Sequence, residues 1–254
     1  MLFEPTLRTL HELRLTGMAA ALEEQQGIPD VERLSFEERL VLLLQREQTS
    51  RDDRRLTRLL RQAKLRLPAS IEDVDLRAPR GLDRSVVLRL ASADWVQAHQ
   101  ALLICGATGT GKTYLACAFG QSACRHGLSS RYYRFSRLLG DLALARANGS
   151  YAKLMEKLSK TDLLLLDDYG LAPLNASERR DFLEILEDRY GRRATLITSQ
   201  LPLDHWHDAI GDNTFADAIL DRLVHGAHRL TLNGASMRKT AASKAERHTK
   251  VAPD

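Results

Sequence analysis

Cysteine is scarce in this 254-residue chain: there are three, an odd number, in no paired motif. Cys105 lies just before a glycine-rich turn, and Cys117 and Cys124 follow it in an apolar helical run. That placement argues against a disulfide scaffold and reads as small core residues of a reduced, cytoplasmic protein. Long apolar runs are missing as well. No stretch approaches the ~18 residues that a membrane span needs, and the opening MLFEPTLRTL lacks the basic start and apolar centre of an export signal. Excess charge of one sign is slight, with 37 basic residues against 33 acidic and a net charge of +4. Affinity for an acidic partner therefore has to come from where the charges lie. Apolar content of 44% is enough for a packed core.

What is present is most concentrated at residues 106 to 113, GATGTGKT, which satisfy the phosphate-loop pattern GxxxxGK[ST] at every constrained position. An apolar run, ALLIC, precedes them and a helical run, YLACAFGQSAC, follows. Glycines 106, 109 and 111 let the backbone turn so that successive N–H groups face anionic oxygens, and the positive end of the next helix adds to that field. Gly106, Ala107, Thr108, Gly109, Thr110, Gly111, Lys112, Thr113 and Tyr114 are the expected nucleotide-binding set. Lys112 is predicted to meet the β- and γ-phosphates of ATP, and the Thr113 hydroxyl to ligate Mg²⁺.

Downstream, TDLLLLDDYG is a leucine run ending in two acids, the pattern of a buried parallel strand whose carboxyl end faces a ligand. Asp167 is predicted to hold Mg²⁺ partly through water, and Asp168 to orient or deprotonate the attacking water. A third strand, RATLITSQLP, turns polar at Thr198, Ser199 and Gln200. The set resembles the phosphate-loop ATPases of the AAA+ kind. In those proteins a polar residue at this strand end contacts the γ-phosphate or the lytic water, and Gln200 is the candidate. The helix in FADAILDRLVHGAHRLTL carries Arg222. The resemblance implies an arginine that reaches the nucleotide of a neighbouring subunit; a salt bridge to Asp217 or Asp221 is the competing account.

Strands are predicted near residues 101–105, 130–135, 162–168, 194–200 and 228–232, alternating with helices, which implies a parallel sheet covered on both faces. Between the second and third strands there is room for two helices, near 136–147 and 150–160. The second carries Lys153, Lys157 and Lys160 on one face. It resembles the added helix of initiators and helicase loaders, which faces nucleic acid, although a solvated amphipathic face fits equally. Residues 233 to 254 leave little room for the small helical lid of AAA+ proteins, so the lid is expected to be absent or truncated. The tail is rich in small and basic residues, consistent with partial disorder, and Arg238 within it is a candidate remnant of a second phosphate-sensing arginine.

Ahead of the core, Ser35 and Glu38 form a capping-box pattern that opens one long helix. Arg51, Arg54, Arg55, Arg58 and Arg61 fall in one arc of that helix, while Leu56, Leu59, Leu60 and Ala63 fall opposite. Basic and acidic residues balance over positions 1 to 80, so this stripe is local patterning. It suits DNA phosphates, or it is a solvated face.

The expected organisation is a helical DNA-binding and oligomerisation domain over 1–70, a linker and entry helix over 71–100, an ATPase domain over 101–232 and a basic tail over 233–254. The fold class is α/β, an AAA+ three-layer sandwich with a five-stranded parallel sheet behind an all-α domain. Taken together, LRTLHELRLTGMAAALEEQ, SFEERL, GATGTGKTYLA, LLLLDDYGLAPL, ATLITSQLP and AILDRLVHGAHRL resemble the IstB helper ATPases of bacterial insertion sequences, from about residue 7 to 240. The family pattern usually has proline where this chain has Asn213. The resemblance implies an ATPase of the DnaA and DnaC clade that binds duplex DNA and self-assembles on it with ATP as a ring or spiral. It also implies recruitment and stimulation of a partner transposase, IstA. A DnaC-like loader acting on single strands shares the same core, but the LTGMAAALEEQ region argues against it. A DNA-binding module that holds ATP without hydrolysing it is the third reading, disfavoured by Asp167, Asp168 and Arg222.

Overall fold

A computed structural model describes residues 3–29 and 31–237. Residues 238–254 of the basic tail, Arg238 among them, lie outside the described residues, and with them the expectations of a truncated lid and a disordered end. Two compact units make up the chain, Met1–Arg58 and Leu59–Asp254, so the division falls inside one long helix.

The first unit holds α1 (Phe3–Glu12), α2 (Thr16–Gln26) and most of α3 (Phe36–Ala63). α3 starts where the capping-box pattern predicts. The Glu38 N–H donates to Ser35 Oγ at 3.2 Å, and the Ser35 N–H donates to Glu38 Oε2 at 2.7 Å. α2 lacks such a device, because Leu15 at its N-cap offers no side-chain acceptor. Its first-turn N–H groups are met instead by Glu47 of α3, whose Oε2 accepts from Gly17 N at 2.7 Å and Met18 N at 3.2 Å. Only glycine allows this approach: a Cβ on Gly17 would lie 2.6 Å from the Glu47 Cα and 2.7 Å from the Arg46 carbonyl.

The second unit is entered through α4 (Arg84–Ala91) and the short α5 (Asp94–Gln97). Then come β1 (Ala101–Gly106), α6 (Lys112–Arg125), β2 (Ser130–Arg134), α7 (Phe135–Ala147), α8 (Tyr151–Lys160) and β3 (Leu163–Tyr169). After these follow α9 (Ala176–Arg189), β4 (Ala194–Ser199), α10 (Trp206–Ile210), α11 (Asn213–Val224) and β5 (His228–Leu232). All pairings in the five-stranded sheet are parallel, in the order β2-β3-β4-β1-β5. The predicted strands agree with these bounds to within a residue at either end.

Strand side chains alternate between two cores, as the two-residue period of a strand requires. Leu102, Ile104, Leu163, Leu165 and Leu196 join α6 and α4 on one face; Leu103, Leu164, Leu166 and Ile197 join α7, α8, α9 and α11 on the other. Both faces are covered, which is why the strands read as apolar runs in the sequence. All three cysteines are buried, and burial raises each thiol above its ordinary pKa. Because the strands are parallel, the carboxyl ends of β1, β3 and β4 share one edge of the sheet, the edge where α/β folds place their ligands.

Candidate nucleotide site

The phosphate loop leaves β1 at Gly106 and enters α6 at Lys112. Gly109 and Gly111 have φ of +84° and +96°, a region that side chains resist. A Cβ on Gly111 would also lie 2.5 Å from Arg80 Nη1, so loop and arginine are in direct contact. Lys112 is buried and its ammonium donates back into the loop, to the carbonyls of Gly106 at 2.7 Å and Ala107 at 2.8 Å. The Lys112 charge is thus held at the centre of the loop by the loop itself.

Across from it, β3 ends in the two acids. Asp167 is 1% exposed and is surrounded by donors. Thr113 Oγ1 lies 3.0 Å from both its oxygens, Thr198 Oγ1 donates to Oδ1 at 2.6 Å and the Tyr132 hydroxyl donates to Oδ2 at 2.7 Å. Burial, and then the Asp167 carboxylate, push the Tyr132 phenol well above its ordinary pKa, so it stays protonated as a donor. Asp168 departs from the strand: its φ is +63°, and the register between β3 and β4 shifts between Leu166 and Tyr169. Such a left-handed residue costs about 1–3 kcal/mol and persists only where surroundings hold it. Here the Asp168 N–H donates to Thr198 Oγ1 at 3.1 Å, so one threonine fixes both acids. The irregularity buries Asp167 and leaves Asp168 lining the cavity.

That cavity has a volume of about 500 Å³ and is bordered by Thr108, Gly109, Gly111, Lys112 and Thr113 of the loop, Tyr114, Asp168 and Gln200, within the range of small-ligand sites. The glycine cradle, the central ammonium and a hydroxyl beside a buried carboxylate fit a nucleotide with a bound Mg²⁺. No cluster of three or more metal-ligating side chains exists among the described residues. Mg²⁺ needs none, since it usually takes one or two carboxylates together with phosphate and water oxygens.

Gln200 stands just past β4, with its Oε1 accepting from Thr108 Oγ1 at 2.6 Å, so it touches the loop while Thr198 touches the acids. Arg222 is remote from its own loop. It shares a pocket with Ala101 and Thr195, at the amino ends of β1 and β4, and donates to Glu187 Oε1 at 2.9 Å and to the Ala218 carbonyl at 2.8 Å. Neither Asp217 nor Asp221 is its ion-pair partner, and Asp217 meets His207 at 3.3 Å. Asn213, where the resemblance leads one to expect proline, is the first residue of α11. Proline suits that position, and Asp212 caps the helix by accepting from Phe215 N at 3.1 Å.

Three arginines at the site were not foreseen from the sequence: Arg66, Arg80 and Arg134 all line the cavity. Arg80 is buried, donates to the Thr110 carbonyl at 3.1 Å and lies on a segment with no periodic pattern to mark it. Arg134 ends β2 and meets Asp168 at 3.3 Å; its place at a strand's carboxyl end was the available signal. Arg66 meets both acids, at 3.5 Å and 3.7 Å.

The predicted basic surfaces divide. In the first unit Arg51 and Arg54 pair with Glu47 at 2.7 Å and 3.5 Å, while Arg58 is exposed. In the second unit Arg61 is exposed, Lys160 pairs with Glu156 at 2.5 Å, and Lys153 and Lys157 are exposed. Partial burial, then the neighbouring Arg131, Lys64 and Lys153, lower the Lys157 pKa, the mark of a local concentration of positive charge. Among the described residues no helix is long and apolar enough to cross a membrane.

The structure resembles the DnaC helicase loader, with a TM-score of 0.55 at 20% identity over 67% of this chain and 100% of that one. It also resembles the replication initiator DnaA bound to AMPPCP and single-stranded DNA, with a TM-score of 0.59 at 17% identity over 75% of this chain and 58% of that one. At those identities the likeness is one of fold, an AAA+ fold with a helical region ahead of it. In sequence the chain is 54% identical over 244 residues to the insertion sequence ATP-binding protein y4pL of Sinorhizobium fredii (strain NBRC 101917 / NGR234), covering 96% of this chain and all of that one. It is 32% identical over 236 residues to the ATP-binding protein of insertion sequence IS21 from Pseudomonas aeruginosa, covering 93% and 89%. Residues 8–245 match the family described as IstB-like ATP binding protein, and the chain belongs to that ATP-binding family.

Proposed function

We propose that this chain is a DNA-dependent ATPase that assembles on duplex DNA with ATP and there recruits and stimulates the transposase of its insertion sequence. The observation that carries the hydrolytic part is the arrangement of the two acids. Asp167 is buried beside Thr113, and Asp168 is turned into the cavity, both held by Thr198. A static nucleotide holder has no use for a strained second carboxylate at that position.

Lys112 supplies fixed positive charge at the β- and γ-phosphates, and Thr113 with Asp167 would hold Mg²⁺, partly through water. The metal when bound neutralises charge on the transferring phosphoryl group. Asp168 orients or deprotonates the water that attacks, giving ADP and phosphate. Gln200, tied to Thr108, contacts the γ-phosphate or that water. Arg222, far from its own loop, acts on the site of the neighbouring subunit, so hydrolysis follows assembly.

The helical region over residues 1–70 is the DNA-binding and oligomerisation part, and the α8 face with Lys153, Lys157 and Lys160 is the contact from the ATPase domain over 101–232. Family membership and its insertion-sequence relatives support the transposase as partner. Gel shifts with duplex and single-stranded DNA, each with and without ATP, test the reading. Duplex should bind more tightly with ATP and should accelerate phosphate release; indifference to ATP, or a clear preference for single strands, would sink it.

A further inference from the structure

Four cations border the cavity, and they are held in two different ways. Lys112 and Arg80 are buried and bonded to backbone carbonyls of the loop and its surroundings. Arg66 and Arg134 have side chains 43% and 52% exposed, and their contacts with the acids are long. Nη1 of Arg66 is shared between Asp167 Oδ2 at 3.5 Å and Asp168 Oδ2 at 3.7 Å. A charge-assisted N–H···O bond is about 2.7–2.9 Å, so this nitrogen balances charge without being locked. The Tyr132 hydroxyl, then the two carboxylates, keep the guanidinium firmly charged.

We propose that Arg66 senses the terminal phosphate of the nucleotide in cis. It balances the Asp167 and Asp168 pair when no triphosphate is held, and it turns onto a terminal phosphate oxygen when one is. This rests on the cavity being a Mg–ATP site. A divalent cation between Thr113 and Asp167 would repel Nη1 from Asp167 at these distances. The nearest replacement is an oxygen of a terminal phosphate, which the guanidinium fork fits better than a loosely shared carboxylate edge. A diphosphate offers no such oxygen, and Arg66 then stays with Asp168, the carboxylate that does not hold the cation. Arg66 lies just beyond Lys64, which leaves α3 in a left-handed conformation with φ of +49°.

Competition binding with fluorescent ATP and ADP analogues in the presence of Mg²⁺ tests this on the full chain, comparing the unaltered protein with Arg66→Ala and Arg66→Lys. Loss of one charge-assisted contact predicts that Arg66→Ala weakens ATP by about ten-fold or more while ADP stays within about two-fold. Arg66→Lys should recover part of the ATP preference and should melt at the wild-type temperature, which separates phosphate sensing from a folding defect. An unchanged ATP-to-ADP ratio in Arg66→Ala, or equal loss of both nucleotides, would overturn the role of Arg66. Failure of the unaltered protein to bind ATP would overturn the reading of the cavity itself.

Discussion

Two buried carboxylates, Asp167 in the second unit and Glu47 in the first, are 1% and 5% exposed, and each is ringed by donors. Their surroundings differ in kind. Glu47 is met by two backbone N–H groups and by Arg51 at 2.7 Å, donors that cannot leave without unwinding α2 or giving up a short ion pair. Asp167 is met by three hydroxyls, which rotate, and by one guanidinium at 3.5 Å. A cavity of about 500 Å³ opens beside its partner Asp168. A ring of donors is therefore no mark of a reactive carboxylate. Replaceable donors next to open space are a different matter, because incoming charge can displace them.

Arg222 gives the sharpest test of that distinction. Its 2.9 Å pair with Glu187 looks as structural as the pair between Arg51 and Glu47. If Arg222 instead serves the next subunit, Arg222→Ala should lower DNA-stimulated phosphate release by about 10³-fold or more, while equilibrium nucleotide binding stays close to normal. Parallel loss of binding, turnover and thermal stability would place it with Glu47 as a holding residue.

Glu47→Ala should do the reverse, disturbing structure and sparing chemistry. Removing an acceptor from a helix start costs about 1–2 kcal/mol, read here as faster hydrogen exchange at the Gly17 and Met18 amides. ATP binding should be unchanged. The bond from Arg51, opposed by burial and aided by the Met18 and Gly17 amides, holds the Glu47 pKa below its ordinary value. A depressed carboxylate pKa contributes stability above the unfolded value of about 4.3 and loses it as pH falls through the folded one. Protection of those amides should accordingly fade below about pH 4.3 in the unaltered protein. In Glu47→Ala it should show no such step; a step of equal size would assign the acid sensitivity to another group.

Legibility in the sequence follows the same division. The loop and the strand ending in Asp167 and Asp168 could be read because phosphate chemistry fixes residue types at fixed spacing, and parallel buried strands announce themselves as apolar runs. The capping box at Ser35 was legible for the same local reason. Arg66 and Arg80 were not, since they lie in connecting chain and reach the site only through the fold. Glu47 hid in a helix crowded with charge, and its one outward sign was Gly17, whose reason is a contact some thirty residues away in sequence. The role of Thr198 depended on a register shift in β3 that no pattern of side chains encodes.

The arginine stripe is where the smallest effects are expected. Arg51 and Arg54 already serve Glu47, so replacing them would confound structure with DNA contact. Arg58 and Arg61 are exposed and avoid that confusion. If they touch phosphates, replacing both with alanine should weaken duplex binding evenly across sequences. Each lost phosphate contact also releases one condensed counterion fewer. The slope of log affinity against log salt should therefore become shallower by about one for each arginine removed. Affinity for ATP without DNA should not move. A weaker affinity with an unchanged slope would mean that the two arginines support the helix rather than meet DNA, and an unchanged affinity would return the stripe to an ordinary solvated face.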